Sequence, residues 1–397
     1  MYKRQEELAE RLGVGGRQLR RLFKQHLGAS PLTVAQTRRV HFAKQLIHDT
    51  RLPMAEIALA AGFGSVRRFN ETFQQLFRKP PSALRQKRIE ALPEGSVASS
   101  GVTVRLRYRA PYDWQTLLDY LRQRALPGIE RVDDTSYRRT VLHDGKVGSV
   151  EIAHLPEVHS LSATIRFPCV RALPAIVTRI RRVFDLGADV GAIAAHLATD
   201  PLLAPMIAAR PGLRAPGGWD GFELAVRAVL GQQVTVQAAR NLSLQLARSC
   251  GTQLSANDSG DPELTLAFPD PAQVASSDLS ALRMPGARKR ALIALAEAAR
   301  DNPLLFQPLD TIEETVQRLC AIRGIGEWTA HYIALRAVRE PDAFPASDVG
   351  LLRGACSADG TRPTPSALRA QAEKWRPFRA YAAQHLWAAD AVAQAKE

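Results

Sequence analysis

The chain has 397 residues, 46% hydrophobic and 23% charged, which argues against long disorder and leaves room for two or three domains with cores of their own. No apolar run approaches the roughly twenty residues of a membrane helix, and the charged N-terminus, Met1 to Glu7, carries no secretion signal, so a cytosolic protein is expected. The net charge of +14 is uneven: residues 1–90 hold 18 Lys and Arg against 7 Asp and Glu, and the remainder holds 35 against 32. A small domain with that surplus usually meets a polyanion, the competing reading being a merely soluble basic surface. Cys169, Cys250, Cys320 and Cys356 lack zinc or iron–sulfur spacing, so reduced thiols are expected, with Cys169, Cys250 and Cys320 buried in apolar or helical contexts.

In chain order, Glu7–Val14 predicts a short helix that breaks at Gly15-Gly16, and Arg17–Lys24 predicts a second. Leu19, Leu22 and Phe23 share one face of the second helix, leaving Arg17, Gln18, Arg20, Arg21 and Lys24 for the other. This is a helix-turn-helix layout, and it recurs. Met54–Ala61 is the short helix, Gly62-Phe63-Gly64-Ser65 the turn and Val66–Phe73 the second helix, after a longer helix over Leu32–Asp49 with Val40, Ala43 and Leu46 as its stripe. Ile57-Ala58, Gly62–Ser65, Phe69, Phe73 and Pro80-Pro81 resemble the DNA-binding domain of AraC-type regulators, whose two units enter successive major grooves. The resemblance covers nearly all of residues 1–90, and Arg17, Gln18, Arg21, Arg67, Arg68 and Asn70 on the two second helices are the candidate base contacts, residue types suited to reading base edges, a solvated helix face or a phosphate contact being the alternative for each. Phe63, Phe69 and Phe73 are expected in the core.

Residues 91–101, rich in Pro, Gly and Ser, predict a linker. Alternation over 102–108 then predicts a strand, followed by a helix over Asp113–Arg124, strands near 129–142, 147–154 and 160–167, and a helix over Val170–Leu186. This is an α+β module, 102–186. From there to residue 397 the pattern is almost wholly helical, with loops at 210–219, 251–271 and 357–366. The expected fold class is therefore multidomain and mainly α: a double helix-turn-helix, a small α+β subdomain and an all-α domain.

The all-α domain holds the most informative stretch, Leu319 to Asp348. An apolar helix end meets the tight turn Gly324-Ile325-Gly326, and a new helix starts at Glu327. Glycines at such a turn leave amides unhindered, and at a helix start those amides suit a phosphate. About twenty residues later Pro345-Ala346-Ser347-Asp348 delivers a lone carboxylate, for which, taken on its own, a helix N-cap is the favoured reading. Gly324–Ala330, Leu335-Arg336, Phe344-Pro345 and Asp348 resemble the helix-hairpin-helix DNA glycosylase superfamily, and within it the DNA-3-methyladenine glycosylase II branch. Ala209–Arg214, Ala225–Gln232 and Lys374–Arg379 fall in that family's order, so the resemblance spans about 102–397.

The resemblance implies a monofunctional enzyme that flips alkylated bases out of duplex DNA and hydrolyses the bond to the sugar. It makes Asp348 the catalytic aspartate, stabilising positive charge on the sugar and orienting or deprotonating water. It makes Gly324, Ile325, Gly326 and Thr329 the grip on the DNA backbone, whose carbonyls can hold a monovalent cation, and it implies no catalytic metal. Trp328 and Tyr332, one turn apart, and Trp387 become the base pocket, where rings suit a cationic alkylated purine; core packing is the alternative for each. Gln232 and Gln233 fall where the family inserts a wedge, Gln233 being polar where relatives place leucine. The α+β module becomes a non-catalytic subdomain.

Trp328 stands where bifunctional glycosylase/lyases carry their Schiff-base lysine. An inactive sensor attached to a transcription regulator is the reading from another class, and a glycosylase for other damaged bases is a further one. The pairing of domains resembles bacterial adaptive-response proteins, which implies promoter DNA and RNA polymerase as partners in a nucleoid-associated, cytoplasmic protein. Those proteins usually place a four-cysteine zinc sensor ahead of the helix-turn-helix; none precedes it in this sequence, either because this lineage lacks it or because the chain begins within a longer one.

Overall fold

The computed structural model describes residues 6, 8–10, 12–85, 101–357 and 360–394. The predicted linker falls almost wholly outside the described residues, as do Glu7 and Arg11 of the first predicted helix. The chain divides into two compact units, one of residues 1–104 with 167–175, the other of 105–166 with 176–397.

In the first unit α1 (Gly16–Leu27) is followed by α2 (Pro31–Asp49), α3 (Met54–Ala60) and α4 (Val66–Phe77). The Ser30 and Ser65 hydroxyls cap α2 and α4 by accepting the amides of Thr33 and Arg68. Gly62, at φ +77°, makes the turn into α4 without the steric cost a side chain would meet there. Leu19, Val40, Ala43, Leu46, Ile57, Phe63, Phe69 and Phe73 are buried. Phe63, Phe69, Phe73 and Phe77 pack in sequence, edge-on and then tilted, at centroid spacings of 5.2, 4.8 and 5.3 Å, so Phe63, Phe69 and Phe73 form core as expected.

Residues 102–166 contain a five-stranded sheet in the order β1-β5-β4-β3-β2, with β1 (Val102–Arg107), β2 (Glu130–Val132), β3 (Ser136–His143), β4 (Lys146–Leu155) and β5 (Ser160–Arg166). The strand predicted over 129–142 is two strands, because Asp133 folds a turn between them and accepts the amides of Thr135 and Ser136. α5 (Trp114–Arg124) is capped by Asp113, which accepts the Thr116 amide. The helix predicted over Val170–Leu186 is shorter, a 3-10 turn at Val170–Ala172 and then α6 (Leu173–Val183).

The all-α part includes helices α7 (Gly221–Leu230), α8 (Val236–Cys250), α9 (Gly286–Asp301), α10 (Ile312–Cys320), α11 (Glu327–Ile333), α12 (Val349–Gly354) and α13 (Arg379–Gln394), with shorter helices at Val190–Leu197, Ala204–Ala209, Pro271–Ala275 and Pro365–Ala372. The predicted loop 251–271 contains a two-stranded ribbon, Thr252–Gln253 against Leu266–Ala267, and a short helix. Cys320, expected inside, is exposed: it ends α10 beside Leu319, and the buried face of that turn belongs to Leu319.

Two cores lie in this part. One joins Phe222, Val226, Leu292, Leu319, Ile325 and Ile333, and the other Phe344, Leu351, Trp375 and Leu386. Gly350 and Gly354, one turn apart on α12, let it approach α13; a Cβ on Gly354 would lie 2.1 Å from the Leu386 carbonyl oxygen.

Sheet and helices are tied by buried charge. Arg139 on β3 reaches Glu223 on α7 at 2.7 Å, and Arg227 on α7 reaches both Glu223 at 2.5 Å and Glu130 on β2 at 2.7 Å. The Tyr137 hydroxyl donates to Glu130 at 2.7 Å. Burial pushes the Glu223 carboxyl up, but Arg139 and Arg227 outweigh it and hold its pKa below the usual value.

Candidate active site

Gly324 makes the hairpin possible in two ways. Its φ of +87° lies in the left-handed region, and a Cβ there would sit 2.4 Å from the Cβ of Ala291 on α9. Gly326 is different, since a Cβ there would meet open space. Ile325 is buried in the first core and anchors the turn, so its side chain is not at the surface. Burying such a side chain is worth roughly 1.5–3 kcal/mol. Ile325 N donates to Ile322 O at 3.0 Å and Ala330 N to Gly326 O at 2.9 Å, closing the turn into α11. No side chain caps α11, which leaves its first amides to outside partners. Thr329 is also buried, its hydroxyl engaged within the protein.

Asp348 is the N-cap of α12, its Oδ1 accepting the Leu351 amide at 3.1 Å. It does more than cap. Trp328 Nε1 donates to its Oδ2 at 2.8 Å, and Trp387 Nε1 donates to its Oδ1 at 2.8 Å. One carboxylate thus joins the hairpin helix, α12 and α13. The close approach depends on Gly350, where a Cβ would lie 3.0 Å from Trp387 Cδ1 and 3.1 Å from Asp348 Oδ1. Asp348 is half-buried, with acceptor capacity left beyond these three bonds.

The three rings expected in the pocket are together. Trp328 and Tyr332 stack at 5.5 Å and 13°, and Tyr332 meets Trp387 edge-on at 6.3 Å. All three are half-buried. Behind them lie two residues to which sequence reasoning gave no role. Tyr120, from α5 in the α+β part, places its hydroxyl 3.5 Å from that of Tyr332. The Arg336 guanidinium sits 4.8, 5.0 and 5.8 Å from the ring centroids of Tyr120, Trp387 and Tyr332. It is fixed by Pro216 O and Gln384 Oε1, each at 2.8 Å, in a π-helical turn that continues α11 over Ala334–Val338. Burial pushes the Tyr332 phenol up to about 12, with Tyr120 adding to it. For Tyr120 the raising effect of burial is outweighed by Arg336 and Arg124, so its pKa is lowered.

The wedge candidates part company. Gln232 Nε2 donates to Gly324 O at 3.1 Å and to Thr329 Oγ1 at 3.0 Å, whereas Gln233 is exposed, at φ +58°. In the other unit Arg17, Gln18 and Arg21 are exposed on α1, and Arg67, Arg68 and Asn70 on α4. Arg67 already shares a 2.8 Å ion pair with Glu71, one turn along the same helix.

Residues 8–87 match a helix-turn-helix domain family, 103–220 the AlkA N-terminal domain, and 226–379 the HhH-GPD superfamily of base excision DNA repair proteins. A Mycobacterium tuberculosis protein named "Probable bifunctional transcriptional activator/DNA repair enzyme AlkA" is 39% identical over 96% of this chain and 75% of its own length. DNA-3-methyladenine glycosylase 2 of Escherichia coli is 34% identical over 71% of this chain and 95% of its own. The chain belongs to the AlkA family of DNA glycosylases. Its glycosylase part shares its fold with 3-methyladenine DNA-glycosylase from Archaeoglobus fulgidus, at a TM-score of 0.63 and 19% identity, covering 72% of this chain and 98% of that one.

Within this AlkA-family glycosylase, Tyr120 left no signal in the sequence because it comes from a module with no chemical motif of its own. Arg336 lies in the matched Leu335-Arg336 pair, but only the fold shows that it faces rings. His331 on α11 is a further residue without a sequence signal. Its Nδ1 accepts the Phe344 amide at 3.3 Å, bracing the loop that leads to Asp348. Burial pushes its pKa down to about 4, against a smaller raising effect of Glu327. Because the folded pKa lies below the unfolded one, stability should fall as pH drops from about 6.5 to about 4 and then level off. His385, also pushed down to about 4 by burial, contributes over the same window. Melting His331→Gln beside wild type at pH 7.5 and pH 4.5 should show a smaller acid loss in the variant; equal losses would remove His331 from this account.

Proposed function

We propose that this glycosylase flips alkylated bases, 3-methyladenine and related lesions, from duplex DNA and hydrolyses the glycosidic bond without cutting the strand. The observation that carries the reading is the Asp348 carboxylate, held by the indole N–H groups of two rings that flank the site. A carboxylate fixed beside an aromatic pocket is placed to stabilise the oxocarbenium sugar while the base stacks on the rings. Trp328 begins the pocket where a lyase would need its lysine, so the product is an abasic site. Arg336 occupies the ring cluster with its own positive charge, which weakens the cation–π attraction available to a cationic base. Fit and the weak bond of the damaged base then do the selecting, and a broad lesion range follows.

The hairpin gives the grip on the backbone through Gly324, Gly326 and the first amides of α11. Ile322 O and Gly324 O each accept one hydrogen bond and keep a second lone pair, which fits a monovalent cation bridging to phosphate. The amino-terminal unit binds promoter DNA through α1 and α4 and contacts RNA polymerase, a role in line with the printed name of the Mycobacterium relative. The basic surplus makes binding by that unit strongly salt dependent. No helix of the described residues is long and apolar enough to cross a membrane; a site of work at the bacterial nucleoid is proposed from the DNA-binding role of both parts.

The test is base release from a duplex carrying one 3-methyladenine analogue, scored with and without hot alkali. Strands that break only after alkali support the reading. Strands cut without alkali would make the enzyme a lyase, and binding without release would favour the inactive sensor.

A further inference from the structure

The segment 231–235 joins α7 to α8 and is held at both ends. At its far end the Thr235 hydroxyl caps α8 by accepting the Ala238 amide at 3.2 Å. At its near end the Gln232 side chain crosses to the hairpin, with bonds to Gly324 O and Thr329 Oγ1. Between these points Gln233 and Val234 are exposed, Val234 at 37% although apolar. Gln233 keeps a left-handed backbone that a non-glycine residue adopts only when its surroundings impose it. Thr329 is buried at 3%, so its hydroxyl has few alternatives to the Gln232 amide. Gly324 O belongs to the residue whose φ and contact with Ala291 fix the hairpin.

We infer that Gln232 is not itself a wedge but a positioning residue, a latch that ties the loop presenting Gln233 and Val234 to the hairpin that grips the backbone. The inference rests on the glycosylase reading and deepens it. Any shift of the hairpin on binding phosphate is carried through the two hydrogen bonds to the loop that must fill the gap left by the flipped base. Grip and insertion are then one event. An amide suits the task because it donates both bonds from one nitrogen; a carboxylate at this position could accept from the Thr329 hydroxyl but would face the Gly324 carbonyl acceptor to acceptor.

The experiment uses the full chain and a duplex whose lesion carries a 2′-fluoro sugar that resists hydrolysis, with 2-aminopurine beside it to report unstacking. Wild type should raise the fluorescence on binding. Gln232→Ala should bind the duplex within about twofold of wild type yet lose most of that rise, and base release from a cleavable duplex should fall about tenfold, the size expected for losing one or two hydrogen bonds. Release of the same lesion from single-stranded DNA, where no gap needs filling, should stay within about twofold of wild type, which a general folding defect would not allow. Thr329→Val removes one acceptor of the latch and should move the fluorescence in the same direction. A full rise in both variants would overturn the inference, as would equal loss of release from single and double strands. Because the fluorescence needs no hydrolysis, failure of the latch and failure of the glycosylase reading are read separately.

Discussion

Asp348→Asn is expected to lower single-turnover base release by about a thousandfold or more, with the fold intact. Two effects add. The substitution removes the charge that faces the developing cation on the sugar. It also leaves one oxygen where two now accept, so the amide nitrogen must confront either the Trp328 indole N–H or both the Trp387 indole N–H and the Leu351 amide. Because Asn caps helices about as well as Asp, α12 should persist and melting should change little. The two roles of Asp348, cap and reacting carboxylate, are thereby separated in one measurement. Trp328→Phe and Trp387→Phe each remove one donor while keeping a ring, and each should cost less than the loss of the carboxylate. Retention of a tenth of wild-type release by Asp348→Asn would remove the residue from the chemistry and leave it a cap.

Glu223→Gln should lower the stability of the glycosylase unit by about 3–5 kcal/mol, the usual cost of breaking a buried ion pair from one side. Glu223 is 4% exposed and is shared by two guanidinium groups, and Glu130 alone would remain to balance both. For a unit of this size that loss amounts to a fall of about 10 °C in melting temperature. The pH dependence has a definite sign. A carboxyl whose folded pKa is held down stabilises the fold above its unfolded value, near 4.5, and loses that contribution as pH falls through the folded pKa. The variant should therefore lose less than wild type on acidification. A change in melting temperature under about 2 °C would show that the network relaxes around one missing charge.

The helix-turn-helix units, the hairpin and Asp348 were legible because each is local. A glycine turn between periodic helices, or a carboxylate at a fixed distance from a hairpin, is written in a few consecutive residues. The misreadings had local causes as well. Asp133 folds a turn inside what alternation made one strand, and Cys320 faces outward because Leu319 takes the buried position of that turn. Gln232 and Gln233 are neighbours in sequence, yet only the tertiary structure shows that one side chain is spent on the hairpin while the other is exposed.

By itself, then, the sequence determined the order of the domains, the family, the turn that only glycine can make at 324, and the carboxylate that follows it. Tertiary structure alone decided what surrounds that carboxylate. Trp328, Trp387 and Asp348 meet across 20 and 39 residues of chain, Tyr120 reaches Tyr332 across 212, and Arg336 closes on rings from three helices. The Glu130–Arg139–Glu223–Arg227 network likewise draws its charges from two strands and a helix. The physical reason is one of range. Backbone propensity and glycine sterics act over a few residues, whereas hydrogen bonds and charge pairs form between whatever groups packing brings within about 3 Å of each other.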